Sequence, residues 1–150
     1  MDKVQIGKER IFNKEFAKRG VAGVIAWDIF PVINRELIFV VFEHANSSWR
    51  QGIWLKTDLG IETNNELCPS VVLWFDTAPR EISCRCLTND NCLSIYNVWD
   101  KGKGRESQAW SAGMLVEEVP NGRRYKCNDV GFETQFDKLV VRIERRSKRS

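Results

Sequence analysis

Short apolar runs, each followed by turn-forming residues, constrain the fold of this chain more than any other feature of its sequence. Nine such runs follow Gly20, and none is longer than eight residues. They cover residues 21–26, 37–42, 52–55, 71–75, 82–87, 92–99, 114–119, 123–127 and 139–143. Because helices in a domain core usually need ten or more residues to bury a face, runs this short predict β-strands.

The residues within these runs alternate in the manner of strands. In the last run Leu139, Val141 and Ile143 share one side, and the residues between them share the other. Segment 92–99 divides in the same way, into Leu93, Ile95, Asn97 and Trp99 against Cys92, Ser94, Tyr96 and Val98. Such a period of two predicts strands with one buried face. Between two of the runs, Pro120-Asn121-Gly122 predicts a β-hairpin.

Many short strands without long helices are typical of an antiparallel sandwich or barrel. We expect a mainly β protein with one domain, an antiparallel β-sandwich of jelly-roll type with eight or nine strands over residues 21–144. Residues 1–20 form a separate N-terminal segment, either a short helix that buries Ile11, Phe12 and Phe16 or an edge strand. Residues 145–150 form a basic tail.

The positive charge of the chain is concentrated at its end. The formal net charge is +3, but five basic residues and one acidic residue fall in positions 142–150, which leaves 18 basic and 19 acidic residues in positions 1–141. Proteins that bind nucleic acid usually carry a basic stripe on the folded domain. We therefore do not expect the folded domain to bind nucleic acid, although attachment of the basic tail to nucleic acid or anionic lipid stays open as a third hypothesis.

Sequence features also bear on the cellular compartment. The first ten residues, MDKVQIGKER, contain no apolar core of the kind a secretory signal needs, and no apolar run is long enough to span a membrane. Five cysteines, an odd number, favour a reducing environment. We therefore expect a cytoplasmic protein without a transmembrane segment.

Sequence motifs for catalysis are missing. The chain contains one histidine, His44, and it lacks the motifs of serine hydrolases, zinc proteases, phosphate-binding loops and dinucleotide-binding folds. We expect no catalytic residues and no cofactor.

Two metal sites stay open as alternatives. Cys84 and Cys86 share one face of a predicted strand, and with Cys92 and Cys127 they would supply four zinc ligands; the alternative is that they pack as small apolar side chains. Asp129, Glu133 and Asp137 surround one turn and would offer calcium its hard oxygen ligands; the alternative is that they act as turn and capping residues.

The same turn carries a family resemblance. The sequence FETQFDKLVVRI is similar to the closing signature of some bacterial extracellular β-sandwich domains. The matching residues are Phe136, Asp137, Leu139, Val140 and Ile143. The resemblance implies a sandwich fold, whereas Gln135 and Lys138 replace two acidic residues of the signature and count against tight calcium binding.

Tryptophans in polar segments suggest a binding site. We predict that Trp49 and Trp110 are exposed and that Trp54, Trp74 and Trp99 lie in the core. Polar groups beside the two exposed rings come from Asn46, Arg50, Arg105 and Gln108. Aromatic rings beside such groups are typical of saccharide sites. The first hypothesis is a non-enzymatic binding module for a saccharide or another polar ligand at a loop end. The alternative is a protein-interaction or regulatory protein without a small-molecule ligand, and the oligomeric state stays open.

Overall fold

A computed structural model of the chain describes residues 9–146 and shows a mainly β protein with one short helix. In chain order the elements are β1 (Ile11–Phe12), α1 (Lys14–Lys18), β2 (Ile25–Pro31), β3 (Glu36–Ala45), β4 (Arg50–Thr63), β5 (Glu66–Trp74), β6 (Glu81–Leu87), β7 (Cys92–Asp100), β8 (Arg105–Ser107), β9 (Gly113–Val119), β10 (Gly122–Asn128) and β11 (Leu139–Arg145). The predicted mainly β class is confirmed. The N-terminal residues 1–8 and the tail residues 147–150 of the predicted segments lie outside the described residues.

Eight of the strands close into an antiparallel barrel. They follow the order β2-β9-β10-β11-β3-β6-β4-β7, and β7 pairs with β2 to complete the circle. The predicted sandwich, which the family resemblance also implied, is therefore wrong. Alternation of apolar and polar residues is the same in a sandwich and a barrel, and only the long-range pairing of β2 with β7 distinguishes the two.

Three further strands are not part of the closed barrel, and each pairs with one of its strands: β1 with β2, β5 with β4, and β8 with β7. They raise the number of strands above the eight or nine predicted. The predicted hairpin is confirmed, because Val119 of β9 pairs with Gly122 of β10 across a two-residue turn. Asn121 in that turn has a φ of 68°, a left-handed conformation that asparagine tolerates well.

The N-terminal segment contains both of the predicted alternatives in shortened form, the strand β1 and the helix α1. Of the three apolar residues expected on the helix face, only Phe16 is buried, whereas Ile11 and Phe12 lie in β1 and are exposed. Asn13 caps the helix: its side-chain oxygen accepts hydrogen bonds from the backbone N–H groups of Glu15 and Phe16. Its side-chain nitrogen donates to the carbonyl of Ala112 at 2.7 Å and so ties the helix to the barrel. Phe16 is fully buried, with its ring 5.6 Å from that of Phe136.

The inner face of the barrel is a packed core. Leu139, Val141 and Ile143 are fully buried, as their alternation predicted. The largest fully buried side chains include Trp99 and Tyr125. In the neighbouring strands β7 and β4, the register places Ile95 beside Leu55 and Asn97 beside Ile53 on this inner face, so the residues between them lie on the outer face.

Strand β4 bends between its two halves. The hydroxyl of Thr57 accepts a hydrogen bond from the N–H of Gly60 at 2.9 Å and donates one to the carbonyl of the same residue at 2.7 Å. Gly60 has a φ of 112°, and an added Cβ there would lie 3.0 Å from the carbonyl oxygen of Cys68. Glycine is therefore required at this bend. Within residues 9–146, no helix is long and apolar enough to cross a membrane.

Candidate functional site

Three aromatic rings lie together on the outer face of the barrel wall. Trp27 comes from β2, Tyr96 from β7 and Trp54 from β4, which are neighbouring strands. The register places Trp54 directly opposite Tyr96, one position along from the inward-facing Leu55 and Ile95. Side chains of paired residues share a face of the sheet, so this pairing brings the rings into contact outside the barrel.

The rings hold one another in fixed positions. Trp54 and Tyr96 stack at a centroid distance of 4.2 Å and an interplanar angle of 14°. Trp27 meets both at an angle, 5.6 Å from Trp54 and 5.4 Å from Tyr96. Each such aromatic pair contributes about 0.5–1.5 kcal/mol beyond the area that it buries. The three rings therefore form an aromatic platform that is held in place without a ligand, in which Trp54 and Tyr96 are buried.

These rings form one side of a concavity of about 510 Å³, a volume within the range of small-molecule sites. We call it the aromatic cleft. It is lined by Trp27, Trp54, Lys56, Thr57, Asp58, Asp90, Cys92, Ser94 and Tyr96.

Two carboxylates on the rim of the aromatic cleft are held by hydrogen bonds. Asp58 accepts from the backbone N–H of Asn89 at 3.0 Å, and Asp90 accepts from the hydroxyl of Thr88 at 2.9 Å. Slight burial of Asp58 raises its pKa, but hydrogen bonding, including that from the backbone N–H of Asn89, outweighs burial and brings the pKa below its ordinary value. Both rim carboxylates are thus oriented acceptors, and Asp58 is ionised at neutral pH.

Donors are also present in the aromatic cleft. Lys56 is exposed, and among residues 9–146 it forms no ion pair. The indole N–H of Trp27 is buried and makes no hydrogen bond with any described residue. The aromatic cleft thus combines an aromatic wall with fixed acceptors and the exposed ammonium of Lys56.

The loops predicted to bind ligand converge at one end of the barrel. Ala45 pairs with Leu139, Arg50 with Asp100, and Gly113 with Asn128, which places the connections 46–49, 101–104, 108–112 and 129–138 at the same end. The single histidine, His44, is exposed near this end of β3.

The two tryptophans at this end have different surroundings. Trp49 is half-buried, and the ammonium of Lys101 lies 4.9 Å above its ring. Trp110 is 64% exposed and meets the ring of Phe132 edge-on at 5.0 Å. Trp110 is therefore exposed as predicted, whereas Trp49 is covered in part.

Several of the predicted polar ligands are engaged within the protein. Arg50 donates to both carboxylate oxygens of Asp76 and lies 4.4 Å above the ring of Trp74. Asn46 donates to Asp137 at 2.9 Å. Arg105 and Gln108 are exposed, as expected for donors at a loop end. The two concavities beside Trp49 measure about 280 and 200 Å³, below the usual size of a small-molecule site.

The three carboxylates of the calcium hypothesis lie on one connection but have protein partners. Asp129 accepts from Ser47 at 3.1 Å and from Gln51 at 2.9 Å. Burial raises the pKa of Asp129, against the effect of these hydrogen bonds. The ammonium of Lys138 pairs with Glu133 at 3.0 Å and supplies a positive charge at this turn.

The four cysteines of the zinc hypothesis do not form a metal cluster either. In residues 9–146 no group of three or more His, Cys, Asp or Glu side chains has the geometry to hold a metal ion. Burial raises the pKa of Cys84 to about 11 and that of Cys86 to about 12, and it raises the pKa of Cys127 further. These three thiols are neutral at physiological pH and pack as small apolar groups. Cys92 lies on the outer face, in the lining of the aromatic cleft.

The predicted burial of Trp54 is confirmed, since the residue is 9% exposed, but sequence reasoning missed the aromatic cleft because it did not ask on which face of the barrel wall this ring packs. The signal was present: Trp54 stands between Ile53 and Leu55, which face inward, so the period of two places its ring outside. Tyr96 follows Ile95 in the same way. The contribution of Trp27 could not be read from spacing, because it depends on the pairing of β2 with β7.

No protein-family model matches this sequence, and no curated protein matches it either.

Proposed function

We propose that this protein is a non-enzymatic binding module and that it binds a saccharide in the aromatic cleft. The observation that carries the proposal is the aromatic cleft itself, where the half-buried ring of Trp27 packs on the buried pair of Trp54 and Tyr96, beside oriented carboxylates on the outer barrel wall. The saccharide is the ligand class that the sequence suggested for the loop end. The size and composition of the aromatic cleft favour this second location.

Saccharides combine two surfaces that the aromatic cleft complements. One face of a pyranose carries C–H groups that pack on an aromatic ring, and its edge carries hydroxyl groups that donate and accept hydrogen bonds. Asp58 and Asp90 would accept from ring hydroxyls, and Lys56 would donate to them. Because the aromatic platform is formed in advance, binding loses little side-chain entropy.

Charge in the aromatic cleft narrows the class of sugar. Its lining carries two carboxylates, Asp58 and Asp90, against the single ammonium of Lys56. A sugar acid would place another negative charge beside them and lose affinity through repulsion. We therefore favour a neutral saccharide over an acidic one.

A glycan array followed by titration of intrinsic tryptophan fluorescence tests the proposal. Trp27→Ala should weaken binding of any array hit by about tenfold or more, because stacking on an aromatic ring is lost. Lys56→Gln tests the rim without disturbing the core, and a decrease of severalfold is expected. Trp110→Ala is the matched control, since Trp110 is exposed but lies outside the aromatic cleft.

The outcomes separate the two locations. Affinity that survives Trp27→Ala and Lys56→Gln but is lost in Trp110→Ala or Trp49→Ala would move the site to the loop end. Absence of binding to every saccharide on the array would remove the saccharide proposal altogether.

A protein-interaction role is the second candidate, and it rests on a different surface. Leu59 is 46% exposed and Leu67 is 57% exposed, next to the bend of β4. Within the described sheet β5 pairs with β4 alone, so its other edge offers backbone groups to a partner strand. Leu67→Lys should abolish co-purification with such a partner and leave saccharide binding unchanged.

A further inference from the structure

Another concavity lies at the end of the barrel opposite the loops that carry Trp49 and Trp110. Arginines make up half of the residues that line it. Its volume is about 440 Å³, again within the range of small-molecule sites. This arginine cleft is lined by Arg35, Glu36, Leu37, Phe39, Arg85, Asn121, Arg145 and Arg146. Four guanidinium groups and one carboxylate line the same small space, which gives it a positive potential.

Three neighbouring strands bring the arginines together. β11 pairs with β3, and β3 pairs with β6. In these registers Arg145 lies opposite Ile38, and Arg85 lies opposite Leu37. Arg35 belongs to the turn that leads into β3, where its φ is 70°. The barrel wall thus fixes the strand residues, and the turn adds Arg35 at the edge.

Two of the four arginines already have carboxylate partners. Arg145 donates to Glu36 at 2.7 Å. Arg146 pairs with Glu81 at 2.5 Å and with Glu144 at 2.9 Å. Their charges are largely balanced inside the protein, so they line the cleft without requiring a ligand.

Arg35 and Arg85 differ from this pair, because neither forms an ion pair with any residue in the range 9–146. The guanidinium of Arg85 donates to the carbonyl oxygen of Arg35 at 2.9 Å, which fixes its position. Glu62 stands opposite Arg85 in the β4–β6 register, yet the two are not ion-paired. Neither charge is balanced by a direct ion pair within the described chain, so an anion bound beside the two guanidinium groups would be stabilised by both.

We infer that the arginine cleft binds an oxyanion of the phosphate or sulfate type on a small ligand, with Arg35 and Arg85 as its direct partners. A guanidinium presents several N–H donors in a plane and binds such oxyanions in a bidentate manner. Leu37 and Phe39 add an apolar part to the lining, and Arg146 covers the ring of Phe39 at 4.0 Å. A ligand with an apolar or planar group beside its oxyanion fits this combination. The inference does not depend on the aromatic cleft, which has a separate set of lining residues.

Calorimetric titration of the full chain with inorganic pyrophosphate at low ionic strength tests the inference. We expect saturable binding to one site. Arg85→Gln and Arg35→Asn should each weaken it by about tenfold, the loss that corresponds to one charge-assisted hydrogen bond. Asparagine is chosen at position 35 because it accepts the positive φ. The matched control is Arg80→Gln, which removes an exposed arginine outside the cleft and should leave the affinity within about twofold.

Further measurements test whether pyrophosphate binds in the arginine cleft or at the end of the chain, and whether the protein binds other anionic partners instead. Lys148→Gln combined with Arg149→Gln should retain at least about half of the pyrophosphate affinity, since the inference assigns the direct contacts to Arg35 and Arg85. The inference is overturned if pyrophosphate shows no saturable binding, or if Arg80→Gln weakens binding as much as Arg85→Gln does. It is equally overturned if only the double substitution at positions 148 and 149 removes binding, or if only duplex DNA or anionic vesicles bind. Circular dichroism of each variant confirms that the fold is retained before its affinity is compared.

Discussion

The hydroxyl of Tyr125 donates a 2.5 Å hydrogen bond to the carboxylate of Asp28, a fully buried residue 97 positions earlier in the chain. Two arginines complete the arrangement: Arg123 pairs with the same carboxylate at 3.0 Å and Arg10 at 2.7 Å. A buried carboxylate is costly unless its oxygens have charged or hydrogen-bonded partners, and here three partners from β10 and the N-terminal segment provide them. The contact therefore ties β2 to β10 through the barrel interior.

Removal of the carboxylate should destabilise the protein strongly. In Asp28→Ala the charge of Arg123 and the hydroxyl of Tyr125 lose their shared partner, and we expect a loss of about 3–5 kcal/mol in the free energy of unfolding. Tyr125→Phe removes one hydrogen bond and leaves both arginines paired, so about 1–3 kcal/mol is expected. Urea denaturation measures both losses. Equal losses in the two variants would contradict a network centred on Asp28.

The same contact makes stability sensitive to high pH. Burial, together with the carboxylate of Asp28, raises the pKa of Tyr125 well above its ordinary value. A raised pKa in the folded state stabilises the protein below the ordinary tyrosine pKa of about 10, and this stabilisation declines as the pH rises above that value. Denaturation at pH 9, 10 and 11 should show a decline that is smaller in Tyr125→Phe.

Protonation of Glu43 should account for part of the loss of stability at acidic pH. A hydrogen bond from Arg124 lowers the pKa of Glu43, helped by the pairing with Arg142 and opposed by partial burial. Because the folded-state pKa is lowered, the stabilisation is present at neutral pH and is lost as the pH falls through the folded-state value. Glu43→Gln should cost about 1 kcal/mol at pH 7 and flatten the decline below pH 4.5.

The control for this prediction is Glu62→Gln, which changes an exposed glutamate that is not ion-paired within residues 9–146. It should leave the free energy of unfolding within about 0.5 kcal/mol. A flattened acid profile in Glu62→Gln, or an unchanged one in Glu43→Gln, would contradict the assignment.

Phe16 should stabilise the end of the barrel more than its place in a five-residue helix suggests. Its ring is fully buried and contacts Phe132 at 5.0 Å and Phe136 at 5.6 Å. Phe16→Ala should cost about 3–5 kcal/mol. Phe12→Ala, four residues earlier and 56% exposed, should cost about 1 kcal/mol or less. Thermal or urea denaturation of the two variants checks the difference, and similar losses would contradict a stabilising role for the buried ring of Phe16.

The buried thiols give a prediction about reactivity. A thiol reacts as the thiolate, and burial raises the pKa of Cys84 to about 11 and that of Cys86 to about 12. At pH 8 a thiol reagent should therefore modify the half-buried Cys68 well before Cys84, Cys86 or Cys127. Mass spectrometry of the time course identifies the labelled positions. Early labelling of Cys127 in the folded protein would contradict its burial.

Much of the strand content followed from local sequence, because strand periodicity and turn residues act over a few positions. The alternation of Leu139, Val141 and Ile143 predicted their burial, and Pro120-Asn121-Gly122 predicted its hairpin. Barrel closure did not follow, since it depends on which distant strands pair. The partners of β2 are β1, β7 and β9, and its residues alone do not specify them.

The candidate sites, like the strands, could be predicted only where local sequence determines them. The exposure of Trp110 followed from its polar neighbours, and the outward direction of Trp54 could have followed from the strand period. The arginine cleft could not be predicted, because Arg35, Arg85 and Arg145 come from three regions of the chain that only the pairing of β11 with β3 and of β3 with β6 brings together. The ion pair between Lys138 and Glu133 could not be predicted either, because it forms only in the folded turn.

The alternation of inner and outer residues in β4 and β7 separates two kinds of constraint on this protein. Ile53, Leu55 and Ile95 complete the packed interior, where a change of one methylene affects the whole barrel. Trp54 and Tyr96, one position away, pack on the opposite surface of the same sheet. These two strands therefore bury side chains on both of their surfaces, so a substitution at Trp54 or Tyr96 should cost stability as well as any contact with a ligand.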